Sequence, residues 1–274
     1  MVEVIYIAGY YHCASTLLDV FFSSLRDTVG LGEVSRAEEE KNRRRFRIEE
    51  LREEYRKWWE YALWGDLNPV LKEEQEGGGI LSTAQGEGGM FGLRFFHEAG
   101  EYFGVSRVVE SSKTPPRNVL RPKFLMASGL KVKVVHPVRD PVTLFNSYYR
   151  KGKRGFYFYV YVLAGWVLSN LFTFILYRKG TYCMVRYRDI MEGPERCVEV
   201  IGEKIGVDVS VIQEKLESGD PFDQGGGFLG NGMRRERKIY FDPPERRRTA
   251  LPSHLKVLAG IGYPLYSFLE GYMR

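Results

Sequence analysis

The chain has 274 residues, of which 44% are apolar and 14% aromatic, so it is long enough to bury a large core. Forty basic and 35 acidic side chains leave a net charge of +5, which favours a small anionic ligand over a nucleic-acid track. Three cysteines without pairing or metal-ligand spacing, and an N-terminus without a secretory pattern, exclude a disulfide-stapled secreted scaffold. We therefore expect one domain over residues 1–274, in the reducing cytoplasm.

The first element, residues 4–18 (VIYIAGYYHCASTLL), predicts a strand, a short polar loop after Gly9 and a helix. This layout places backbone N–H groups of a helix N-terminus where they bind phosphate. A nucleotide-cleaving loop that starts at Gly9 requires glycine and lysine where this chain has Ala14 and Ser15. A cysteine phosphatase requires an arginine six residues after the cysteine, and that position is Asp19. Neither of these two uses fits the loop.

Residues 36–64 follow with apolar side chains at helical spacing and oppositely charged side chains four residues apart, such as Glu53 and Lys57. The pattern predicts a solvated amphipathic helix, and we expect a helical insertion over about residues 36–75. Glycine runs at 77–79 and 86–89 mark loops, and a further helix is predicted over about 91–103.

Three later strands are predicted at 107–113, 131–139 and 182–187, the last followed by a helix over 194–206. Strands that alternate with helices predict an α/β fold, with a central parallel sheet covered by helices on both faces. Ligands of such sheets bind at the carboxyl ends of the strands. The polar residues there follow the four strands in turn: Tyr10 to Thr16; Glu110, Ser111, Ser112 and Lys113; Arg139 and Asp140; Arg186, Tyr187, Arg188 and Asp189. Together they predict a site for a polyanion.

Residues 156–177 are uncharged and about long enough to cross a bilayer as a helix. Ser169, Asn170 and Thr173 interrupt the stretch, and basic residues flank both ends, so charge sets no orientation. We interpret the stretch as a buried core helix or an apolar substrate wall. A membrane anchor is the alternative, and a peripheral membrane contact stays open.

The motifs resemble those of the sulfotransferases that use 3′-phosphoadenosine 5′-phosphosulfate (PAPS). That family's first motif, roughly G-x-x-[RK]-S-G-T-T-L-L, is similar to Gly9–Leu18 here. The resemblance implies a P-loop-NTPase-like sulfotransferase fold and a loop around the 5′-phosphosulfate. The loop residues are Tyr11, His12, Cys13, Ala14, Ser15 and Thr16.

Four later motifs occur in the family's order. VVHPVRDPVTLFNSYYRKG resembles the family's 3′-phosphate stretch, which implies that Arg139 and Ser147 bind that phosphate. VRYRDIMEGPE implies that Tyr187 lies near the adenine, and GGGFLGNGMR implies that Asn231 and Arg234 lie by the nucleotide. ESSK makes Lys113 the match to a lysine near the transferred group.

Sulfuryl transfer also requires a base that takes the acceptor's proton. GLGEVSR resembles the G-E-x-x-R segment of relatives that use a glutamate, so Glu33 is the candidate base, with Arg36 near the acceptor. His12 replaces the family's loop lysine or arginine and is a second candidate base. Ala14 replaces a glycine of the family motif. An alanine is disfavoured at a position where the backbone needs a positive φ, whereas a glycine is not. These two departures favour the alternative of a catalytically degenerate PAPS or PAP binder.

No histidine–carboxylate cluster in the sequence suggests a metal. The acceptor stays open among a saccharide, a lipid headgroup, a small phenol and a protein tyrosine. The aromatic residues of 156–177 and 58–64 would serve either as an acceptor pocket or as ordinary core.

Overall fold

Five β-rich stretches form one parallel sheet in the computed structural model, which describes residues 2–37, 51–65, 67, 92–223, 238–241 and 251–273. The strands are β1 Glu3–Ile7, β2 Thr28–Gly32, β3 Arg107–Glu110, β4 Lys131–Val138 and β5 Tyr182–Arg186. Their order across the sheet is β2-β3-β1-β4-β5, and each neighbouring pair is parallel. A separate antiparallel pair joins β6 Phe222–Asp223 to β7 Lys238–Ile239.

Helices connect the strands and continue to the C-terminal region. Numbered over the described residues, they are α1 Ser15–Ser23, α2 Glu53–Leu63, α3 Leu93–Phe103, α4 Arg121–Ala127, α5 Pro141–Arg150, α6 Phe156–Tyr177, α7 Tyr187–Glu192, α8 Pro194–Ile205, α9 Ser210–Ser218, α10 Ser253–Gly260 and α11 Tyr263–Glu270. Short 3₁₀ turns cover Val34–Arg36 and Pro116–Asn118.

The sheet carries a hydrophobic core on each face because successive strand side chains point to opposite sides. On β1, Val4 and Tyr6 pack into one core with α2 and α3. Ile5 and Ile7 pack into the other core with α1 and α8. The expected parallel sheet with helices on both faces is therefore confirmed.

The predicted strands are present, but each ends before the predicted boundary, at Glu110, Val138 and Arg186. The edge strand β2, TVGLG, was not predicted, since it is short and two of its five residues are glycine. Within the predicted 36–64 helix, α2 is amphipathic and its Glu53–Lys57 ion pair measures 2.8 Å. Its apolar face belongs to the core, because Trp58 and Trp59 are fully buried. Residues 38–50, 66 and 68–75 of the predicted insertion lie outside the described part.

Helix α6 has the predicted bounds and lies half inside the protein. Its polar residues Ser169, Asn170 and Thr173 are buried, and their side chains bond to the carboxyl ends of the neighbouring strands and to the adjoining loop. By length and composition it is the one helix among the described residues that could cross a membrane, and half of its most apolar window is buried. The inner face is thus part of the α/β core, as expected for a core helix.

One of these contacts makes the fold sensitive to acid. The His136 ring is fully buried, with Nε2 2.9 Å from Asn170 Oδ1 and Nδ1 2.6 Å from the Tyr182 hydroxyl. Burial lowers the pKa of His136 to about 4, although the hydrogen bond to Asn170 opposes the shift. Because an unfolded histidine has a pKa of ~6.5, the unfolded state takes up the proton first as the pH falls.

We expect the free energy of unfolding to fall by about 2 kcal/mol through this histidine alone between about pH 7 and pH 5. Urea unfolding at both pH values measures the loss, and His136→Gln should make the pH dependence shallower by that amount. An unchanged pH dependence in the variant would show that His136 is not a neutral buried ring.

Candidate functional site

The loop after β1 is held in an unusual backbone conformation at the carboxyl edge of the sheet. Gly9 has φ +91°, and a Cβ there would lie 2.6 Å from the carbonyl oxygen of Pro137, so the loop passes too close to β4 for any other residue. His12 and Ala14 have φ 62° and 70°. Ala14 thus occupies the left-handed position that was expected to disfavour alanine, and α1 begins at the next residue.

Helix α1 opens onto this loop with a free N-terminus. Ala14 is its N-cap residue, no side chain caps the helix, and no acidic residue lies in its first turn. The first amides of a helix have no partner inside the helix, and its dipole favours a negative charge there. Ser15, Thr16 and Leu17 therefore present a cradle of N–H groups that suits an anion.

Lys113 lies beside this cradle because the chain after β3 continues along β1. The Lys113 amide donates to the Ile7 carbonyl at 3.2 Å, and the Thr114 amide donates to the Gly9 carbonyl at 3.0 Å. The Gly9 amide in turn donates to the Thr114 hydroxyl at 3.0 Å. Lys113 also has a left-handed backbone, with φ 63°, and its carbonyl accepts from the Tyr6 hydroxyl at 2.5 Å. Three of the four non-glycine residues with positive φ among the described residues are therefore loop or cavity residues.

Glu33 pairs with two cationic side chains, Lys113 and Arg36. Its Oε1 pairs with Lys113 Nζ, and its Oε2 lies 3.1 Å from Arg36 NH1. Burial by itself raises the pKa of Glu33, but Lys113 and Arg36 outweigh it, so the pKa is lowered overall. At neutral pH the carboxylate is therefore ionised.

A buried polar network supports Glu33 from behind. Glu110 accepts from Arg121 Nε and from the Ser112 hydroxyl, both at 2.5 Å. Ser112 Oγ in turn accepts from the Ser35 amide at 2.9 Å. This series of hydrogen bonds fixes the turn that follows β2, and it thereby fixes the position of the Glu33 carboxylate. Glu110 and Ser112 were among the strand-end residues predicted to lie at the site, whereas Arg121 and Ser35 were not.

Arg139 follows β4 on the other side of the loop. Its NH1 donates to the His12 carbonyl at 2.9 Å and its Nε donates to the Thr143 hydroxyl at 3.1 Å. Its guanidinium carbon lies 4.0 Å from the centre of the Tyr187 ring. Asp140 caps α5 through the Thr143 amide at 2.9 Å. Arg139 is therefore held against the loop and keeps part of its fork for a ligand.

These residues line one cavity of about 540 Å³. It contains the predicted residues Tyr11, His12, Ala14, Ser15, Thr16, Glu33, Arg36, Lys113, Arg139, Ser147 and Tyr187. Cys13 is buried beneath the loop, where its thiol lies 3.8 Å from the Ala8 carbonyl. Asn231 and Arg234 fall outside the described residues. The cavity also contains residues that were not predicted: Leu17, Tyr148, Arg150, Lys151 and Met191.

The cavity is electropositive. Burial, followed by Lys151, Arg139 and Lys113, lowers the pKa of His12 to about 4, so its imidazole is neutral at pH 7. Lys151 Nζ lies 3.5 Å from His12 Nδ1, and the Lys151 pKa is lowered by burial and then by Arg139 and Arg150. Cations that lower each other's pKa favour the binding of an anion between them.

Solved structures share this architecture. The sulfotransferase domain from the curacin biosynthetic pathway aligns with a TM-score of 0.54 at 15% identity, over 95% of this chain and 97% of that chain. Sulfotransferase STF1 from Mycobacterium tuberculosis H37Rv aligns with a TM-score of 0.50 at 13% identity, over 78% of this chain and 70% of that chain. No protein-family model and no curated protein sequence matches the chain.

At these identities the similarity shows the fold. The chain has the P-loop-like α/β fold of the sulfotransferases, which confirms the fold that its motifs imply.

Proposed function

We propose that this chain is a sulfotransferase that moves a sulfuryl group from PAPS to an acceptor hydroxyl or amine. The observation that carries the proposal is a convergence around one cavity. An uncapped helix N-terminus, the Lys113–Glu33 pair and the guanidinium of Arg139 all face the same space. These are the groups that binding and transferring a charged sulfuryl group require.

The residues present fit PAPS. The amides at the start of α1 and the Thr16 hydroxyl suit its 5′-phosphosulfate. Arg139 supplies a fork for the 3′-phosphate, and Ser147, two turns into α5, supplies a hydroxyl. Tyr187 is a flat aromatic surface for the adenine, next to Arg139. Asn231 and Arg234 are proposed to complete the nucleotide site.

The residues of the cavity are proposed to have separate roles in sulfuryl transfer. Bound PAPS would supply the sulfuryl group and a phosphate leaving group on which negative charge grows. The α1 amides and the Lys113 ammonium are the donors that stabilise this charge. Glu33 takes the proton from the acceptor, and Arg36 orients the carboxylate or the acceptor. Glu33 is preferred over His12 as the base because GLGEVSR resembles the G-E-x-x-R segment of sulfotransferases that use a glutamate.

His12 has a different proposed part. The family's cationic loop residue is replaced here by a neutral imidazole, while Lys151 places its ammonium next to that ring. We infer that Lys151 supplies the positive charge that His12 lacks. On this basis the substitution at His12 is compatible with donor binding.

Binding of the product nucleotide 3′-phosphoadenosine 5′-phosphate (PAP) tests the donor site. At a PAP concentration about a hundred times Kd, the free energy of unfolding should rise by about 2.7 kcal/mol. For a chain of this size the melting temperature should then rise by about 5 °C. AMP, which lacks the 3′-phosphate, is the control and should stabilise the protein much less. No shift with millimolar PAP would refute the donor assignment.

A catalytically degenerate PAP binder is the second candidate, and the neutral His12 is the observation that favours it. The two functions separate in a transfer assay with labelled PAPS against a saccharide, a lipid, a phenol and a tyrosine peptide. PAP binding without transfer to any of the four classes would support the degenerate binder.

A further inference from the structure

Helix α6 presents an apolar stripe to the outside along its whole length. The exposed residues recur every three or four positions, so they lie on one face: Tyr157, Tyr161, Ala164, Leu168, Phe172 and Ile175. Tyr157 and Tyr161 are the most open, at 86% and 74% exposed. The stripe continues onto the C-terminal helix α11, where the half-exposed Phe268 packs on Phe174 at 5.7 Å. An exposed apolar surface of this extent marks an interaction site.

The polarity of α6 is inverted relative to a helix that faces water. Ser169, Asn170 and Thr173 point inward to hydrogen bonds, while the outward face carries no charged side chain. Polar residues that face the protein and apolar residues that face outward are typical of a lipid-facing helix. A protein partner would instead be expected to meet a polar rim around the apolar centre.

Charge identifies the kind of surface that covers the stripe. Between Pro141 and Arg188 the chain has eight lysines and arginines and no aspartate or glutamate. Exposed cations stand at both ends of α6: Lys151, Lys153 and Arg154 before it, Arg178 and Lys179 after it. Lysine and arginine beside an apolar segment are attracted to anionic lipid headgroups, and tyrosine is enriched at membrane–water interfaces, so α6 carries the side chains that a lipid surface attracts.

The same charges disfavour a second copy of this chain as the occupant. In an antiparallel pairing of two α6 helices, Arg178 and Lys179 of one copy would face Lys151, Lys153 and Arg154 of the other. In a parallel pairing each basic end would face its own counterpart. Both arrangements place cations against cations, whereas an anionic bilayer complements both ends at once.

We propose that the outward face of α6 docks on an anionic lipid surface, with the helix lying in the plane of the interface. A helix of 22 residues is about 33 Å long, and its inner face stays bonded to the sheet while the Tyr157–Ile175 stripe enters the headgroup region. Arg150 and Lys151, which line the cavity, lie at the end of α5, in the connection to the docked helix that begins at Phe156. The proposal stands independently of sulfuryl transfer.

Vesicle flotation with the full chain, without PAPS or acceptor, tests the proposal. We use phosphatidylcholine vesicles with and without phosphatidylglycerol at about one third of the lipid. The chain should float with the anionic vesicles and much less with the neutral ones. Phe172→Asp should weaken binding about tenfold. The matched control is Tyr102→Asp on α3, since both aromatic residues are 43% exposed, and it should bind as the parent does.

Tyr157→Asp is the second variant, because a residue 86% exposed can be replaced without touching the core. It should also lose vesicle binding while its melting temperature is unchanged. The proposal is overturned if the parent chain floats with neither vesicle, or if both stripe variants bind like the parent. It is also overturned if sedimentation shows a dimer that Phe172→Asp dissociates in the absence of vesicle binding, since a second copy then covers the face.

Discussion

Replacing Glu33 by glutamine is expected to lower the rate of sulfuryl transfer by roughly 10²–10⁴-fold, the usual contribution of a positioned base. Glutamine keeps the size of the side chain, but its single amide oxygen accepts from only one of Lys113 and Arg36, and it cannot take the acceptor's proton. PAP binding should change little, because Glu33 is proposed to act on the acceptor. Turnover with labelled PAPS and PAP-induced thermal stabilisation measure the two effects separately.

The control for this variant is Glu53→Gln, which makes the same change in an exposed ion pair on α2 and should leave turnover unchanged. The melting temperature must also be followed, because removing one partner of a buried pair destabilises a fold. Full activity in a folded Glu33→Gln protein would transfer the role of base to His12. Loss of PAP binding together with activity would show instead that Glu33 holds the donor site in shape.

Replacing Arg139 by alanine is expected to weaken PAP binding by about 100-fold, since a buried guanidinium lost from a phosphate site costs several kcal/mol. The variant also removes the contacts to the His12 carbonyl and the Tyr187 ring, so the loop after β1 loses a support. Isothermal titration with PAP measures the affinity. Turnover should fall with it.

Two further variants serve as controls for Arg139→Ala. Arg139→Lys keeps the charge but loses the fork, and it should recover only part of the affinity. Arg94→Ala on α3 removes an arginine that pairs with Glu98 at 3.6 Å on an exposed helix, and it should bind PAP normally. Equal PAP affinity in the parent and in Arg139→Ala would place the 3′-phosphate elsewhere.

The sequence predicts which residues meet at the cavity where those residues follow the ends of strands. Lys113, Arg139 and Tyr187 each follow a β-rich stretch, and parallel strands bring their carboxyl ends to one edge. The three positions could therefore be predicted to meet without knowing the order of the strands. Ser147 was predicted from the family motif, in which a serine follows the arginine by eight residues. In the structure Ser147 lies two turns into α5.

The features of the site and core that the sequence did not predict depend on contacts between segments that are distant in the chain. Lys151 follows α5 and reaches His12 only because α5 packs beside the loop after β1. The network through Glu110, Ser112 and Ser35 depends on β2 and β3 being neighbours, and β2 itself has too little β-propensity to be recognised. The burial of Trp58 and Trp59 likewise depends on packing against α3.

The left-handed backbone of His12, Ala14 and Lys113 has a cost that the rest of the molecule must offset. Each such residue costs roughly 1–2 kcal/mol, so the three together cost about 3–6 kcal/mol. That sum is comparable with the entire net stability of a typical domain, about 5–15 kcal/mol. The strands that precede these residues end at Ile7 and Glu110. Both residues are fully buried, and they belong to the part of the fold that resists this strain. The loop after β1 thus lowers the stability of the fold in order to hold the backbone in this conformation. Glycine at position 12 or 14 would raise the free energy of unfolding, but it would also make the anion cradle less rigid.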